Sequence, residues 1–289
     1  MSLLIEAKRY TLAQIVKMSP TTASKWLYWK TFKRALNLQQ PQTFNEKLMW
    51  IKLFEDPTLK TRYTDKVAVR EFLLSEGLGA LLVPTIAIVD RVEDIIFEQL
   101  PKRFVLKCSH GSGFTIICKD KSLLDYQKTR QQLAKWMAMD YSLRHAEPHY
   151  ANIKPRIMIQ HFLGNESSKV PIDYKIHCFH GEPKMIELTL ERFTPKEQSI
   201  MLTPDWRNTH FIEKKFAYDE KQAKPKQLEQ LIAVARQLSQ EFTYVRVDLY
   251  VVDEAIFFGE LTFTPAACLN QEIHDQANLE IGQWLMLEQ

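Results

Sequence analysis

Apolar positions follow two different periods along the chain. Up to about residue 100 they recur at helical spacing. Residues 3–18 and 22–37 read as two helices split by "SPTT", with Ser19 or Thr21 as cap and Pro20 as breaker. In "PQTFNEKLMWIKLF", Thr43 and Glu46 form a capping box, and Phe44, Leu48, Ile51 and Leu53 supply an apolar side. "TDKVAVREFLLSEGLG" reads as a further helix ending at Gly77 or Gly79, and "LLVPTIAIV" as a short strand run broken by Pro84. From Phe104 the period drops to two. "FVLKCS" and "FTIIC" predict a hairpin, followed by a helix over 122–139 capped by Ser122 and the strand "RIMIQHFL". Beyond the linker "GNESSKVP", "DYKIHCFHGEPKMIELTL" predicts a hairpin turning at Gly181. A helix over 225–241, the hairpin "YVRVDLYVVDEAIFFGELTF" and a C-terminal helix complete the pattern. Strands arriving as adjacent hairpins predict an α+β chain with antiparallel sheets, not an alternating Rossmann arrangement.

Composition changes this picture little. The 289 residues are 45% hydrophobic and 25% charged, ordinary for a globular chain of one large or two small domains. A net charge of +3 is too small for a nucleic-acid coat, so no nucleic-acid partner is expected. The four cysteines form no C-x-x-C pair and read as reduced, buried residues of a cytoplasmic protein. His177 and His180 would point to opposite faces of a strand, which argues against a zinc site in "HCFH". The first twenty residues carry charges throughout and read as neither signal peptide nor membrane span. The helix over 22–37 interleaves Trp26, Tyr28, Trp29 and Phe32 with Lys25, Lys30, Lys33 and Arg34. It is expected to pack on the body; its alternative is peripheral contact with an anionic inner-membrane surface.

Two stretches carry chemistry. In "FVLKCSHGSGFTIIC", Lys107 sits inside an apolar strand run, where a charge costs ~1 kcal/mol or more unless something anionic meets it. The turn beside it has two glycines, a serine and a histidine, so its N–H groups can approach a phosphate. In "YVRVDLYVV", Arg246, Asp248 and Tyr250 share one face; in "AIFFGELTF", Glu260 and Thr262 share one. A three-residue turn over 253–255 places Asp248 across from Glu260, where paired carboxylates suit Mg²⁺. A two-residue turn would put them on opposite faces, and an Arg246–Asp248 or Arg246–Glu260 ion pair is the structural alternative. The chain has no P-loop motif and no protein-kinase signature.

In this order, "TFNEKL", "DKVAVR", "FVLKCSHGSG", "DYKIHCFHGEPK" and "VRVDLY…FGELTFTP" resemble the ATP-grasp fold, specifically its TupA-like branch linked to teichuronopeptide and other bacterial surface-polysaccharide synthesis. The resemblance runs over about residues 43–265. It implies two lobes with antiparallel sheets that clamp ATP: a helical N-terminal region over 1–100, a small lobe over 101–163 and a large lobe over 164–289. By motif position Lys66 and Lys107 look like the lysines at the α/β-phosphates, and Ser109, His110, Gly111, Ser112 and Gly113 like the loop over them. Gln160, His161, Phe162 and Leu163 look like the hinge that meets adenine. Lys175 looks like the γ-phosphate cation, and Asp248 and Glu260 like the Mg²⁺ ligands. Thr262, counted with Asp248 and Glu260 in the metal site, stands where many ATP-grasp enzymes have a carboxamide, and Gln160 where a glutamate is usual. "AACLN" follows "ELTFTP" where relatives often continue with glycines.

The chemistry so implied is carboxylate–amine ligation: a carboxylate takes the γ-phosphoryl group to give an acylphosphate, and an amine then displaces phosphate. Arg192 and Arg246 are candidates for holding a substrate carboxylate or oxyanion, since arginine meets carboxylates bidentately. The expected acid is a uronic acid or amino-acid substituent of a surface glycan. The rivals are a glycosyltransferase, against which the absence of D-x-D counts, a kinase phosphorylating a hydroxyl, and a nucleotide-binding module without catalysis.

Overall fold

The computed structural model describes residues 2–164, 171–190, 198–217 and 222–287, without the side chains of 2–6. In chain order the elements are α1 (Ser2–Met18), α2 (Pro20–Phe32), α3 (Phe44–Phe54), α4 (Pro57–Thr64), α5 (Ala68–Ser75), β1 (Thr85–Val89), β2 (Phe104–Cys108), β3 (Thr115–Cys118) and α6 (Tyr126–Met137). There follow α7 (Ser142–His145), β4 (Ile157–His161), β5 (Asp173–Phe179), β6 (Glu182–Leu190), β7 (Gln198–Leu202), α8 (Leu228–Ser239), β8 (Tyr244–Val252), β9 (Ala255–Thr262) and α9 (Asp275–Gln283).

Local signals account for most boundaries. Ser19 caps α2 by accepting from Thr22 N–H, and Pro20 sits in its first turn. Both halves of the Thr43–Glu46 capping box are present on α3. Three boundaries differ from the sequence expectation. The α2 helix stops at Phe32 because Lys33 turns left-handed, with φ 57°. The "TDKVAVR" segment is broken: α4 ends at Thr64, Asp65–Val67 form a turn, and α5 begins at Ala68. The helix expected from Ser122 begins at Tyr126, where Asp125 accepts from Lys128 N–H; Ser122 lies in a short 3₁₀ turn capped by Asp120.

The chain divides into two units, Met1–Glu55 with His145–Glu147 and Ile172–Gln289, and Asp56–Arg144 with Pro148–Pro171. In the second unit a four-stranded sheet runs β1-β4-β2-β3, every neighbouring pair antiparallel. Phe104, Leu106 and Cys108 on β2 and Ile157 and Ile159 on β4 point into its core with Phe97, Phe114 and Leu133.

In the first unit a five-stranded antiparallel sheet runs β7-β6-β5-β8-β9. One face carries Ile176, Cys178, Val245 and Val247 and packs against α8. Part of the other face is roofed by α3, whose Phe44 lies against His177, Phe179 and Tyr244. The "TFNEKL" stretch docks on α9: Asn45 N–H donates to Asn278 Oδ1, and Lys47 Nζ donates to the carbonyls of Gly282 and Leu285. A Cβ at Gly282 would sit 2.2 Å from the Gln42 carbonyl oxygen, so only glycine allows that approach.

Two hairpins of this sheet each hold one extra residue. The β8–β9 turn has two residues, Asp253 and Glu254, both left-handed (φ 48° and 66°), with Val252 opposite Ala255. The three-residue turn expected there is thus corrected. Read outward from a two-residue turn, Asp248 would face Gly259, but a bulge restores the pairing of Asp248 with Glu260 and Arg246 with Thr262. Gly259 is the extra residue; a Cβ there would lie 2.9 Å from the Asp248 carbonyl oxygen. The β5–β6 hairpin repeats the device. Cys178 faces Pro183, then the register shifts past Lys184 so that His177 faces Met185 and Lys175 faces Glu187.

Candidate active site

The two bulges align one row across all five strands: Met201, Glu187, Lys175, Asp248 and Glu260. His177, Arg246 and Thr262 form the next row. Alternation along each strand puts both rows on the face that α3 partly roofs.

Lys175 Nζ lies 2.9 Å from Glu187 Oε1 and also donates to Thr189 Oγ1. The second oxygen of Glu187 is 3.2 Å from His177 Nε2, and His177 Nδ1 is 2.8 Å from the Tyr244 hydroxyl. Burial opposes charge on Glu187, but Lys175, the His177 contact and Arg246 together hold its carboxyl well below the usual range. Burial lowers the pKa of His177, so the ring is neutral at pH 7. Arg246 grips Asp248 through both guanidinium arms, at 2.7 and 2.6 Å, and donates to Thr262 Oγ1 at 3.3 Å. Thr262 in turn donates to Glu260 Oε1 at 3.4 Å.

Asp248 exposes the electrostatic character of this face. Burial pushes its carboxyl up; Arg246 pulls it down, and Asp173 and Glu260 push it up again, to about 7. Arg246 also shifts upward: burial works against its charge, yet Asp248 and Glu187 raise it well above its ordinary value. The two shifts agree on one reading. Arg246 is permanently charged, while burial first, and then the neighbouring Asp173 and Glu260, disfavour charge on Asp248. Lys175 and Arg246 are the cations that act on Glu187, and Arg246 the one that acts on Asp248 beside Asp173 and Glu260. Among the described residues no three His, Cys, Asp or Glu side chains are grouped to hold an ion unaided. That donor set fits Mg²⁺, which usually takes one or two protein carboxylates and fills its shell with water and phosphate oxygens.

The other expected residues lie in the second unit, or outside the description. Lys66, in the turn between α4 and α5, donates from Nζ to the Gly111 carbonyl at 3.1 Å, so lysine and glycine hairpin are together. Lys107 faces Thr115 and Met158 on the half-exposed side of β2, opposite the core-facing Leu106 and Cys108. Its apolar sequence neighbours therefore point away from it. Of the loop itself, only Ser112 and Gly113 are exposed. Ser109 is turned inward, donating to the Lys154 carbonyl at 2.8 Å and accepting from Arg156 N–H at 3.0 Å. His110 is buried against Phe114 with Nε2 2.9 Å from the Trp136 carbonyl. Gly111 is packed so closely that a Cβ would meet the Phe114 ring at 2.6 Å. On the hinge strand Gln160 is buried and His161 exposed, with His161 N–H donating to the Pro84 carbonyl. Phe162 and Leu163 are half-buried, Phe162 beneath Arg103 at 5.7 Å. Arg192 lies outside the described residues.

Glu187, His177 and Asp173 did not emerge from the sequence. For Glu187 the signal was present, an acid in the apolar strand "KMIELTL". Counted from the turn without a bulge, however, it misses Lys175 by one place.

Two antiparallel sheets in separate units, the smaller bearing a glycine hairpin beside two lysines and the larger the charged row, form an ATP-grasp fold, as the family match shows. The chain belongs to the TupA-like ATP-grasp family, whose model matches residues 46–286. Solved structures with similarity include a D-alanine–D-alanine ligase from Bacillus anthracis complexed with ATP (14% identity, TM-score 0.46, covering 77% of this chain and 61% of that one). Others are the D-cycloserine synthetase DcsG (17%, 0.44, 79% and 71%) and the ATP-grasp ligase PsnB with a minimal precursor (13%, 0.41, 83% and 66%). The chain thus spans about three-fifths of the B. anthracis ligase. No significant match exists among curated proteins.

Proposed function

We propose that the chain is an ADP-forming carboxylate–amine ligase that uses Mg-ATP to modify a uronic acid or amino-acid substituent of a bacterial surface polysaccharide. The observation that carries this reading is the row Glu187–Lys175–Asp248–Glu260, in which one cation stands between carboxylates and two carboxylates, Asp248 and Glu260, lie side by side. Asp248 and Glu260 are the groups that would hold Mg²⁺. Once bound, that ion supplies Lewis-acid neutralisation of phosphate charge.

The chain's own groups do the rest. Lys175 has three N–H donors, two of them taken by Glu187 and Thr189, and the third is the donor for a terminal phosphate oxygen. Glu187, held ionised, keeps Lys175 charged and aimed; Arg246 orients Asp248 with a two-point grip. In the other unit, Lys66 and Lys107 offer charge, and Ser112 and Gly113 backbone N–H groups, to the remaining phosphates. At the Met201 end of the row, a cavity of about 430 Å³ is lined by Ser199, Asn208, His210 and Lys214 among others. Its size suits a small substrate group, and Lys214 is the cation for an acceptor carboxylate.

The test is Mg-ATP turnover with hydroxylamine across a panel of uronic acids and amino acids. ADP with a hydroxamate supports the ligase and identifies the acid. ADP with a phosphate ester, or a sugar nucleotide consumed to a glycoside, replaces it with a kinase or a glycosyltransferase.

A further inference from the structure

The N-terminal helices carry a surface that the proposed chemistry does not use. Between residues 7 and 45 there are seven basic residues, Lys8, Arg9, Lys17, Lys25, Lys30, Lys33 and Arg34, and no acidic residue. Among the described residues, Arg34 is the one of these seven that forms an ion pair, with Asp275 at 3.0 Å. The α2 helix is apolar on two opposite sides. Ala23, Ser24, Leu27 and Tyr28 are buried, and Tyr28 and Phe32 belong to the core that α3 and α9 share. On the other side Trp26 and Trp29 stand 43% and 55% exposed.

Positions 22, 25, 26, 29, 30 and 33 recur at i, i+3, i+4, i+7, i+8 and i+11. Two tryptophans therefore sit on one outward stripe, flanked by Lys25, Lys30 and Lys33, with all three lysines exposed. Lys30 Nζ lies 5.1 Å over the Trp26 ring and Lys33 Nζ 5.4 Å over the Trp29 ring, so the charges are gathered at the rings. Met18, at the end of α1, is 86% exposed and Tyr10 is 68% exposed.

We infer that this face of α2 docks on an anionic lipid bilayer, with Trp26 and Trp29 seated at headgroup level and the lysines meeting anionic headgroups. The charge decides the occupant. A second copy would bring like-charged faces together, which is repulsive. Indoles between lysines, on a helix with no acidic residue, are the pattern of a helix lying in a membrane interface. Among the described residues no helix is long and apolar enough to cross a membrane, so the contact is a peripheral one.

The experiment is co-sedimentation of the whole chain with vesicles of phosphatidylcholine alone or with about one-third phosphatidylglycerol, at low and high salt. Expected is roughly tenfold tighter binding to the anionic vesicles at low salt, most of it lost at high salt. Trp26→Ser/Trp29→Ser should abolish binding, and Lys25→Gln/Lys30→Gln should weaken it. Both variants should melt as the wild type does, since these side chains are exposed. Quenching of indole fluorescence by brominated lipid, absent in the tryptophan variant, locates the contact. Vesicle binding by neither lipid, undiminished binding of the tryptophan variant, tighter binding to a polyanion such as heparin, or self-association that the variant removes would each overturn the inference. The readout needs no turnover, so it stands or falls apart from the ligase reading.

Discussion

Asp248 is the residue on which most of the electrostatics turns. Its carboxyl titrates near 7 in the folded chain, above its ordinary 3.8, so folding favours its protonated form. Its contribution to stability is therefore full below about pH 4 and lost as pH rises through 7. A divalent cation requires the ionised carboxylate, so the metal effect runs the other way. Stabilisation by Mg²⁺ should grow between about pH 6 and 8 with release of a proton, measurable by thermal melts and calorimetry in buffers of different ionisation enthalpy. A pH-independent Mg²⁺ response would remove Asp248 from the site. Glu260→Gln should remove turnover and the Mg²⁺ response while the fold survives, because Glu260 is half-buried on the edge strand β9 and glutamine keeps its shape. Asp248→Asn has a second effect: it leaves the Arg246 guanidinium buried without its carboxylate, a loss of about 3–5 kcal/mol that denaturant melts will show. Lys214→Ala should raise the KM for the acceptor acid about tenfold and leave that for ATP unchanged, if the cavity beside β7 receives the acceptor.

At the scale of elements, the hairpins decide which side chains meet. Gly259→Val places atoms where the Asp248 carbonyl and the Tyr250 ring already lie, 2.9 and 3.0 Å from a Cβ. The expected cost is about 1–3 kcal/mol in a denaturant melt, together with loss of the Mg²⁺ response as the pairing of Asp248 and Glu260 slips. A variant that melts and binds like the wild type would mean the bulge does not set the row. Alternation made Asp248, Glu260, Lys175 and Lys107 visible in the sequence, and the Thr43–Glu46 box and Ser19 cap were visible because each is a contact within one turn. The bulges were not visible, because a strand's register is chosen by its partners and a one-residue shift leaves the local pattern untouched. The glycine in "FFGEL" was the one local cue. The inward turn of Ser109 and His110 was hidden for the same reason: their partners, Lys154, Arg156 and Trp136, lie far along the chain. So too was the two-sided α2, where aromatic residues alternate with lysines and only the packed neighbours say which aromatics are inside.

At the scale of the whole molecule, the proposed chemistry calls on residues of both units. A ligand at about a hundred times its Kd adds ~2.7 kcal/mol to the unit that binds it. Differential scanning calorimetry with Mg-ATP should therefore shift melting upward by several degrees. If the units melt separately and both contribute to ATP binding, both transitions should move; if only one moves, the residues of the other unit are not engaged. Omitting Mg²⁺ should reduce the shift of the unit bearing Asp248 and Glu260 more than that of the unit bearing Lys66 and Lys107. Equal shifts with and without the ion would argue against a metal role for the charged row.

The paired bulges also impose a parity rule on the gene. Each of the β5–β6 and β8–β9 hairpins contains an odd residue, Lys184 in one and Gly259 in the other, and the strands beyond it carry the acids. Deleting Gly259 removes the bulge and leaves Asp248 opposite Glu260 and Arg246 opposite Thr262, whereas inserting one further residue between the turn and Glu260 shifts both one place along β8 and presents Leu261 and Phe263 to the wrong side. A compensating deletion in the same arm between the turn and Glu260 restores the count. In a library of length variants, survivors in these arms should therefore include single deletions that remove a bulge, while single insertions should survive only with a matching deletion.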